Sequence, residues 1–241
     1  MGRGPSIEGR KNAEDARRGK LFTKFIREIT VAARTGGTDP ASNSRLRLAV
    51  DKALHANMSK DTLERAIKRG SGEAGAENFE EVRYEGYAPG GVAIMLDCLT
   101  DNPTRTVAEV RHAFSKNGGH LGTSGSVSYL FSKLGQILIE THGDTALEEK
   151  ILEVALEAGA DDVISHDDVT EILTAPDQLE VVKKALTVAA QKIAQADLEM
   201  RPATQVDVTG EAAQSVDALI AWLEDLDDVQ KVFSNARLPD A

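Results

Sequence analysis

Arg17, Lys20, Lys24, Arg27 and Arg34 follow one another at spacings of three, four, three and seven residues. On a helix turning about 100° per residue, that spacing draws the cations into one stripe. A row of fixed positive charge has one evident chemistry, the neutralisation of phosphates along a polyanion. Arg65, Lys68 and Arg69 stand at i, i+3 and i+4 and make a second compact basic patch. Cations at a helix C-terminus are also favoured by the helix dipole alone, and a basic stripe can equally be a solvated helix surface. Charge by itself leaves these alternatives open.

Other constellations offer less. Tyr84 and Tyr87 in Tyr84-Glu85-Gly86-Tyr87-Ala88-Pro89-Gly90-Gly91 belong to a strand, a Pro-Gly turn and the next strand. Exposed tyrosines there, with Arg105, are candidate partner contacts. Five dispersed histidines (His55, His112, His120, His142, His166) show no metal-ligand spacing, so no metal site is expected. His166-Asp167-Asp168 reads as a polar hairpin turn. The run from Gly118 to Gly125 resembles a phosphate cradle but passes from helix to strand, the wrong order for helix N-terminal amides to face an anion; a structural or partner-contacting loop is expected. Ser115, His112 and Asp97 lack the sharp strand-to-helix turn that exposes a nucleophile. Glu224-Asp225 and Asp227-Asp228 read as a solvated helix end. No catalytic residue, cofactor or small-molecule substrate is expected, and the chain is taken not to be an enzyme.

The charge balance sharpens the polyanion case. The chain of 241 residues carries a net charge of −11, yet residues 1–72 hold 16 Lys and Arg against 8 Asp and Glu. The remainder holds 12 against 31, so attraction for a polyanion is confined to one end. No apolar run approaches the roughly 20 residues that span a bilayer, and the start lacks the apolar core of a signal peptide. A cytoplasmic protein with no membrane partner is expected. The single cysteine, Cys98, lies in a strand-like run and is read as buried and reduced.

The elements that would position these residues fall into two kinds. From Ala13 to about Arg34, Phe22, Phe25, Ile26, Ile29 and Ala33 share one helix face opposite the cations, which leaves five cations presented to solvent. Thr35 to Pro40 ends that helix. A second runs from about Asn43 to Met58 with Leu46, Val50, Ala53, Leu54 and Asn57 facing one way, and Ser59 caps a third that ends at Gly70. Beyond a Gly-rich linker, strands are predicted near 82–87, 92–98 and 126–132, with a helix over 103–116 that begins at Asn102-Pro103. A strand-helix-strand-strand-helix-strand series follows at 135–141, 145–158, 162–166, 169–174, 177–193 and 196–200, the order of a split βαβ, ferredoxin-like unit. The last set, 204–208, 211–225 and 229–234, is too small for a sheet of its own and would complete the domain begun at 78. The expected fold is therefore α+β and multidomain. A basic all-helical domain (1–72) precedes a discontinuous α+β domain (78–133 plus 202–241), interrupted by an inserted α+β domain (134–201).

Several long stretches, in order, resemble the YebC/PmpR family. They are Lys20 to Ile29, Asn43 to Asn57 around Arg45-Leu46-Arg47, Glu64 to Gly70, Tyr84-Glu85-Gly86-Tyr87 with Pro89-Gly90-Gly91, and Thr100-Asp101-Asn102 with Arg105 to Arg111. The likeness spans residues 11 to about 235. It implies a three-domain architecture and a cytoplasmic regulator without a known catalytic site. Such proteins are commonly described as DNA-binding transcriptional regulators, and others as translational activators that work on the ribosome. The resemblance therefore implies a nucleic acid partner, DNA or rRNA. The family's usual His-Ser-Lys-Trp opening is absent. Gly2 to Arg10 stands in its place, so no role of an N-terminal His or Trp carries over. Ile7-Glu8-Gly9-Arg10 also spells a protease-recognition sequence, and we read it as natural variation.

Overall fold

The computed structural model describes residues 7–72, 78–189 and 191–239, with side chains from Arg17 onward. The helical segment consists of α1 (Ile7–Gly36), α2 (Ser44–His55) and α3 (Lys60–Gly70). Then come β1 (Glu80–Ala88), β2 (Val92–Thr100), α4 (Pro103–Lys116), β3 (His120–Leu121), β4 (Phe131–Glu140), α5 (Thr145–Glu157), β5 (Asp162–Ser165) and β6 (Val169–Thr174). The chain closes with α6 (Leu179–Val188), β7 (Ile193–Pro202), β8 (Val206–Asp207), α7 (Gly210–Asp225), β9 (Val229–Ser234) and β10 (Ala236–Arg237). Its contacts divide it into two units, residues 1–128 with 206–241 and residues 129–205.

In the first unit, α1 to α3 enclose Ile29, Ala32, Ala33, Leu46, Ala49, Ala53, Leu63 and Ala66, with Phe22, Phe25 and Ile26 packed against them. α1 begins at Ile7, earlier than the sequence suggests, and the protease-like segment lies where no side chain is described. Buried Asn43 fixes the start of α2: its Oδ1 accepts from the Leu46 N–H at 3.0 Å, and its Nδ2 donates to the Ala32 and Gly37 carbonyls. α2 ends where Asn57 adopts φ 62° and the Met58 N–H reaches back to the Ala53 carbonyl at 2.9 Å. That left-handed closure turns Asn57 outward. Leu54 is likewise exposed, so the inward face expected for these two is corrected; Ala49 and Met58 take the buried places. Ser59 caps α3 by accepting from the Thr62 N–H at 3.3 Å.

The first sheet has the order β3-β1-β2-β9. On one face Ile94, Leu96 and Cys98 of β2 meet Val110, Ala113 and Phe114 of α4 and Val216, Leu219 and Leu223 of α7. Burial, with help from Asp228 and Asp97, pushes the Cys98 thiol up to about 12, which makes it a packing group. The strand expected over 126–132 is not formed. The third strand is the short His120–Leu121, paired with Gly86 and Tyr87, and Phe131 opens β4 instead. β8 pairs with β10 as a separate parallel ribbon, so only β9 of the last set joins this sheet.

The second unit is a four-stranded antiparallel sheet, order β5-β6-β4-β7, with α5 and α6. β6 lies between β4 and β5 and antiparallel to both, which is the split βαβ arrangement. Ile137, Ile139, Ile172, Ile151, Val182 and Leu186 are fully or almost fully buried.

Candidate nucleic-acid interface

The sequence places the cationic stripe of α1 on the side away from Phe22 and Ile29, where solvent was expected. That side is partly covered. Val31, four residues after Arg27 and seven after Lys24, belongs to the stripe, yet it is buried with Phe79 and Leu99 in a small apolar cluster. A helix buried along two faces must satisfy any charge caught in the second contact.

Asp228 supplies that satisfaction for Arg27. Arg27 Nη1 donates to Asp228 Oδ1 at 2.6 Å and to the Leu99 carbonyl at 2.9 Å. Its guanidinium carbon lies 4.9 Å from the Phe79 ring centroid, a cation–π contact. Asp228 is 3% exposed, and it also accepts from Arg105 Nη2 at 2.8 Å and from the Thr106 hydroxyl at 2.7 Å. Burial pushes this carboxyl up, but the bonds from Arg105, Arg27 and Thr106 outweigh it and hold it below the usual aspartate range. The junction thus joins α1, the start of α4 and the turn after α7.

The other members of the stripe are graded outward along α1. Arg34 Nη2 donates to the Phe79 carbonyl at 2.6 Å. Lys24 Nζ donates to the Glu224 carbonyl at 2.6 Å; burial lowers its pKa although Glu224, Asp227 and Asp225 surround it. Lys20 Nζ meets Asp225 Oδ1 at 2.6 Å, with both side chains well exposed. Arg17 is exposed, as is Arg18, which lies over the Phe22 ring. The expectation of five solvated cations is therefore corrected: Lys20, Lys24, Arg27 and Arg34 bond within the chain. The acidic helix end is solvated as expected at Glu224, Asp225 and Asp227, although Asp225 also meets Lys20; Asp228 is the correction, being buried against Arg27 and Arg105.

On α3 the outcome differs. Leu63, Ala66 and Gly70 face inward, which leaves Arg65, Lys68 and Arg69 exposed. Arg65 Nη2 pairs with Asp61 at 2.6 Å, a bridge open to solvent at both ends and readily exchanged. Together with Arg17, Arg18 and Lys60, these are the cations of residues 17–72 best placed to meet a large external anion.

The candidate partner contacts are half-engaged. The Tyr84 hydroxyl donates to the Pro103 carbonyl at 3.4 Å and the Tyr87 hydroxyl to the Ser126 carbonyl at 3.0 Å, both partly buried. They are not the exposed rings expected, since β1 turns them towards its neighbours. Arg105 is 43% exposed but divides its guanidinium between Asp101 and Asp228.

The residues just past the glycine-rich run cradle an anion from their own chain. Glu85, 3% exposed, accepts from the Val127 N–H at 2.8 Å and the Ser128 N–H at 3.1 Å. Those amides are taken from any strand ladder, which is why no strand forms over 126–130. Asp97 forms a two-bond pair with Arg83, and His112 meets the edge of Trp222, so the Ser115, His112 and Asp97 set is not assembled. Among the described residues no group of His, Cys, Asp and Glu has a metal-binding arrangement, and no helix is long and apolar enough to cross a membrane.

The residues missing from the sequence-based site are Asp228, Asp225, Phe79 and Val31. Only Val31 left a local trace, as an apolar residue inside the cationic stripe.

Comparison with known proteins fits this layout. Residues 4–73 match the TACO1/YebC protein N-terminal domain, and residues 79–236 match the TACO1/YebC second and third domain. A probable transcriptional regulatory protein of Xanthomonas campestris pv. campestris (strain B100) is 56% identical over 237 residues, covering 98% of this chain and 97% of that one. One of Stenotrophomonas maltophilia (strain K279a) is 56% identical over 240 residues, covering 99% and 98%. The crystal structure of a conserved hypothetical protein from Aquifex aeolicus superposes with a TM-score of 0.84 at 49% identity, covering 94% of this chain and 93% of that one.

Proposed function

Because the chain belongs to the TACO1/YebC family, we propose that it is a cytoplasmic, non-catalytic regulator of gene expression that binds nucleic acid, with duplex DNA as its first target. The observation that carries this is the exposed ridge of Arg65, Lys68 and Arg69 on α3, set in a chain whose remaining surface is predominantly acidic. The two relatives named as probable transcriptional regulatory proteins support the choice of DNA. In this reading residues 129–205 form a ferredoxin-like domain inserted into the α+β domain that carries the helical segment.

One observation favours rRNA as a second target. A helix-turn-helix reads bases through the N-terminal residues of its second helix. Here that end of α3 carries Asp61 and Glu64 against the single cation Lys60, while Arg65, Lys68 and Arg69 gather towards the far end. Such an arrangement suits phosphate contact on a folded backbone, and an aromatic content of 4% fits no extended stacking platform.

The test is titration of wild-type protein and an Arg65→Glu/Lys68→Glu/Arg69→Glu variant against duplex DNA and a folded ribosomal RNA fragment over a salt series. The variant is expected to bind more weakly, with its salt slope flattened by about 0.9 per lost contact on duplex. Unchanged affinity and slope would sink the proposal. Occupancy of defined promoters against co-sedimentation with ribosomes then separates DNA from rRNA.

A further inference from the structure

The acidic end of α7 occupies the cations that the α1 stripe would offer to a polyanion. Asp228 is buried and Arg27 partly buried, 3% and 15% exposed at the side chain, and they belong to the core of the junction. Lys20 and Lys24 are different. Lys20 is held at the rim by the Asp225 carboxylate at 2.6 Å and by the Asp225 carbonyl at 3.3 Å. Lys24 is held by the Glu224 carbonyl, with the Glu224, Asp225 and Asp227 charges around it. All three of those carboxylate-bearing residues are exposed. Two lysines therefore face three carboxylates, and an approaching polyanion meets net negative charge where the stripe alone would attract it.

We propose that Glu224 to Asp227 is an autoinhibitory cap, a built-in polyanion mimic that withholds Lys20 and Lys24 from nucleic acid. This rests on the polyanion-binding function proposed above. The contact is graded for such a role: the buried Arg27–Asp228 bond keeps α1 docked, while the solvent-exposed Lys20–Asp225 bond can exchange without unfolding the junction. Nucleic acid seated on the outer face of α3 and the start of α1 gains Lys20 and Lys24 only when it displaces the cap. Affinity is thereby held below what the cation count of residues 1–72 would give.

The experiment compares two variants of the full chain with equal change in charge on the same helix. Glu224→Gln/Asp225→Asn removes cap carboxylates; Glu211→Gln/Asp217→Asn removes two exposed ones nearer the start of α7. Each is titrated with duplex DNA and with a folded ribosomal RNA fragment over a salt series, after its thermal midpoint is shown to match wild type. The cap variant is expected to bind about tenfold tighter than the control pair, with a salt slope steeper by about 0.7 to 0.9 for Lys20, whose carboxylate partner is removed, while Lys24 keeps its bond to the Glu224 carbonyl but loses the surrounding negative charge. Equal affinity and equal slope in the two variants would overturn the cap, because net charge alone would then explain any gain. Loss of binding in the α3 triple variant together with equal cap and control variants overturns the cap and keeps the binding function. No binding by any form, the cap variant included, overturns both.

Discussion

Arg27 and Asp228 stand 201 residues apart in the chain and 2.6 Å apart in space. Asp228 is nearly closed to solvent, and Arg105, Thr106 and Arg27 converge on its two oxygens. A buried charge of this kind is tolerated only with its partners present; remove one and the other is stranded. Asp228→Ala strands Arg27 beside Phe79 and Leu99. It is expected to lower stability by about 3–5 kcal/mol, read from the midpoint of urea unfolding at unchanged m-value. A loss below about 1 kcal/mol would mean that Arg27 relaxes to solvent and the junction contributes little.

The same bonds dictate a response to acid. Asp228, Glu85 and Glu171 all titrate below their ordinary values. For Asp228, burial opposes ionisation, but Arg105, Arg27 and Thr106 prevail. For Glu85, burial is overcome by the backbone amides of Val127, Gly125 and Ser128; for Glu171, by Gln136, Arg201 and His166. A carboxyl whose folded value is depressed contributes stability above its unfolded value and loses it as pH falls through the folded one. The ordinary values are 4.5 for Glu and 3.8 for Asp, so stability should hold above about pH 4.5 and decline below it. In Asp228→Asn the acid limb should be shallower by up to about 1.4 kcal/mol per pH unit, one proton's worth. Parallel acid limbs in the two proteins would remove Asp228 from the cause.

Glu85→Gln tests the loop that replaces the expected strand. The glutamine keeps the length of the side chain but loses the charge and one acceptor oxygen, weakening its hold on the Val127 and Ser128 amides. The expected cost is about 1–3 kcal/mol, with hydrogen exchange at Val127 and Ser128 accelerated and exchange in α2 unaffected. Exchange rates unchanged at those two amides would show that the loop holds its shape without the carboxylate.

What could be read from the sequence was what neighbours along the chain decide. Ser59 and Asn102 announce helix starts and are found accepting from Thr62 and Arg105 N–H groups. The apolar face of α1 follows from periodicity, because a helix core face is a local pattern. Glu85 and the run from Gly118 to Gly125 were both in view, yet nothing local says that a carboxylate on β1 will bind amides just beyond that run, 42 and 43 residues later. The basic stripe and the acidic α7 end were likewise each visible. Their meeting was not, since charge pattern identifies a polar face without distinguishing water from a complementary face as its partner. Val31 was the one residue that argued for a partner.

The crossing of α1 and α3 rests on Gly70, and it permits a last prediction that ties packing to the proposed surface. A Cβ added at Gly70 would stand 2.6 Å from the Ala33 Cβ and 2.6 Å from the Thr30 carbonyl oxygen, neither of which can swing aside. Thr30 meanwhile donates its hydroxyl to the Ala66 carbonyl at 3.2 Å, so the same contact fixes α3 along its length. Gly70→Ala gains helix propensity worth up to about 1 kcal/mol, but the clash costs about 1–3 kcal/mol and moves the end of α3 outward. Lys68 and Arg69 lie in that last turn. The variant should therefore unfold at lower urea and bind duplex DNA more weakly, although no charge has changed. If it binds as wild type while losing stability, the position of α3 does not matter to binding, and the ridge acts only through its net charge.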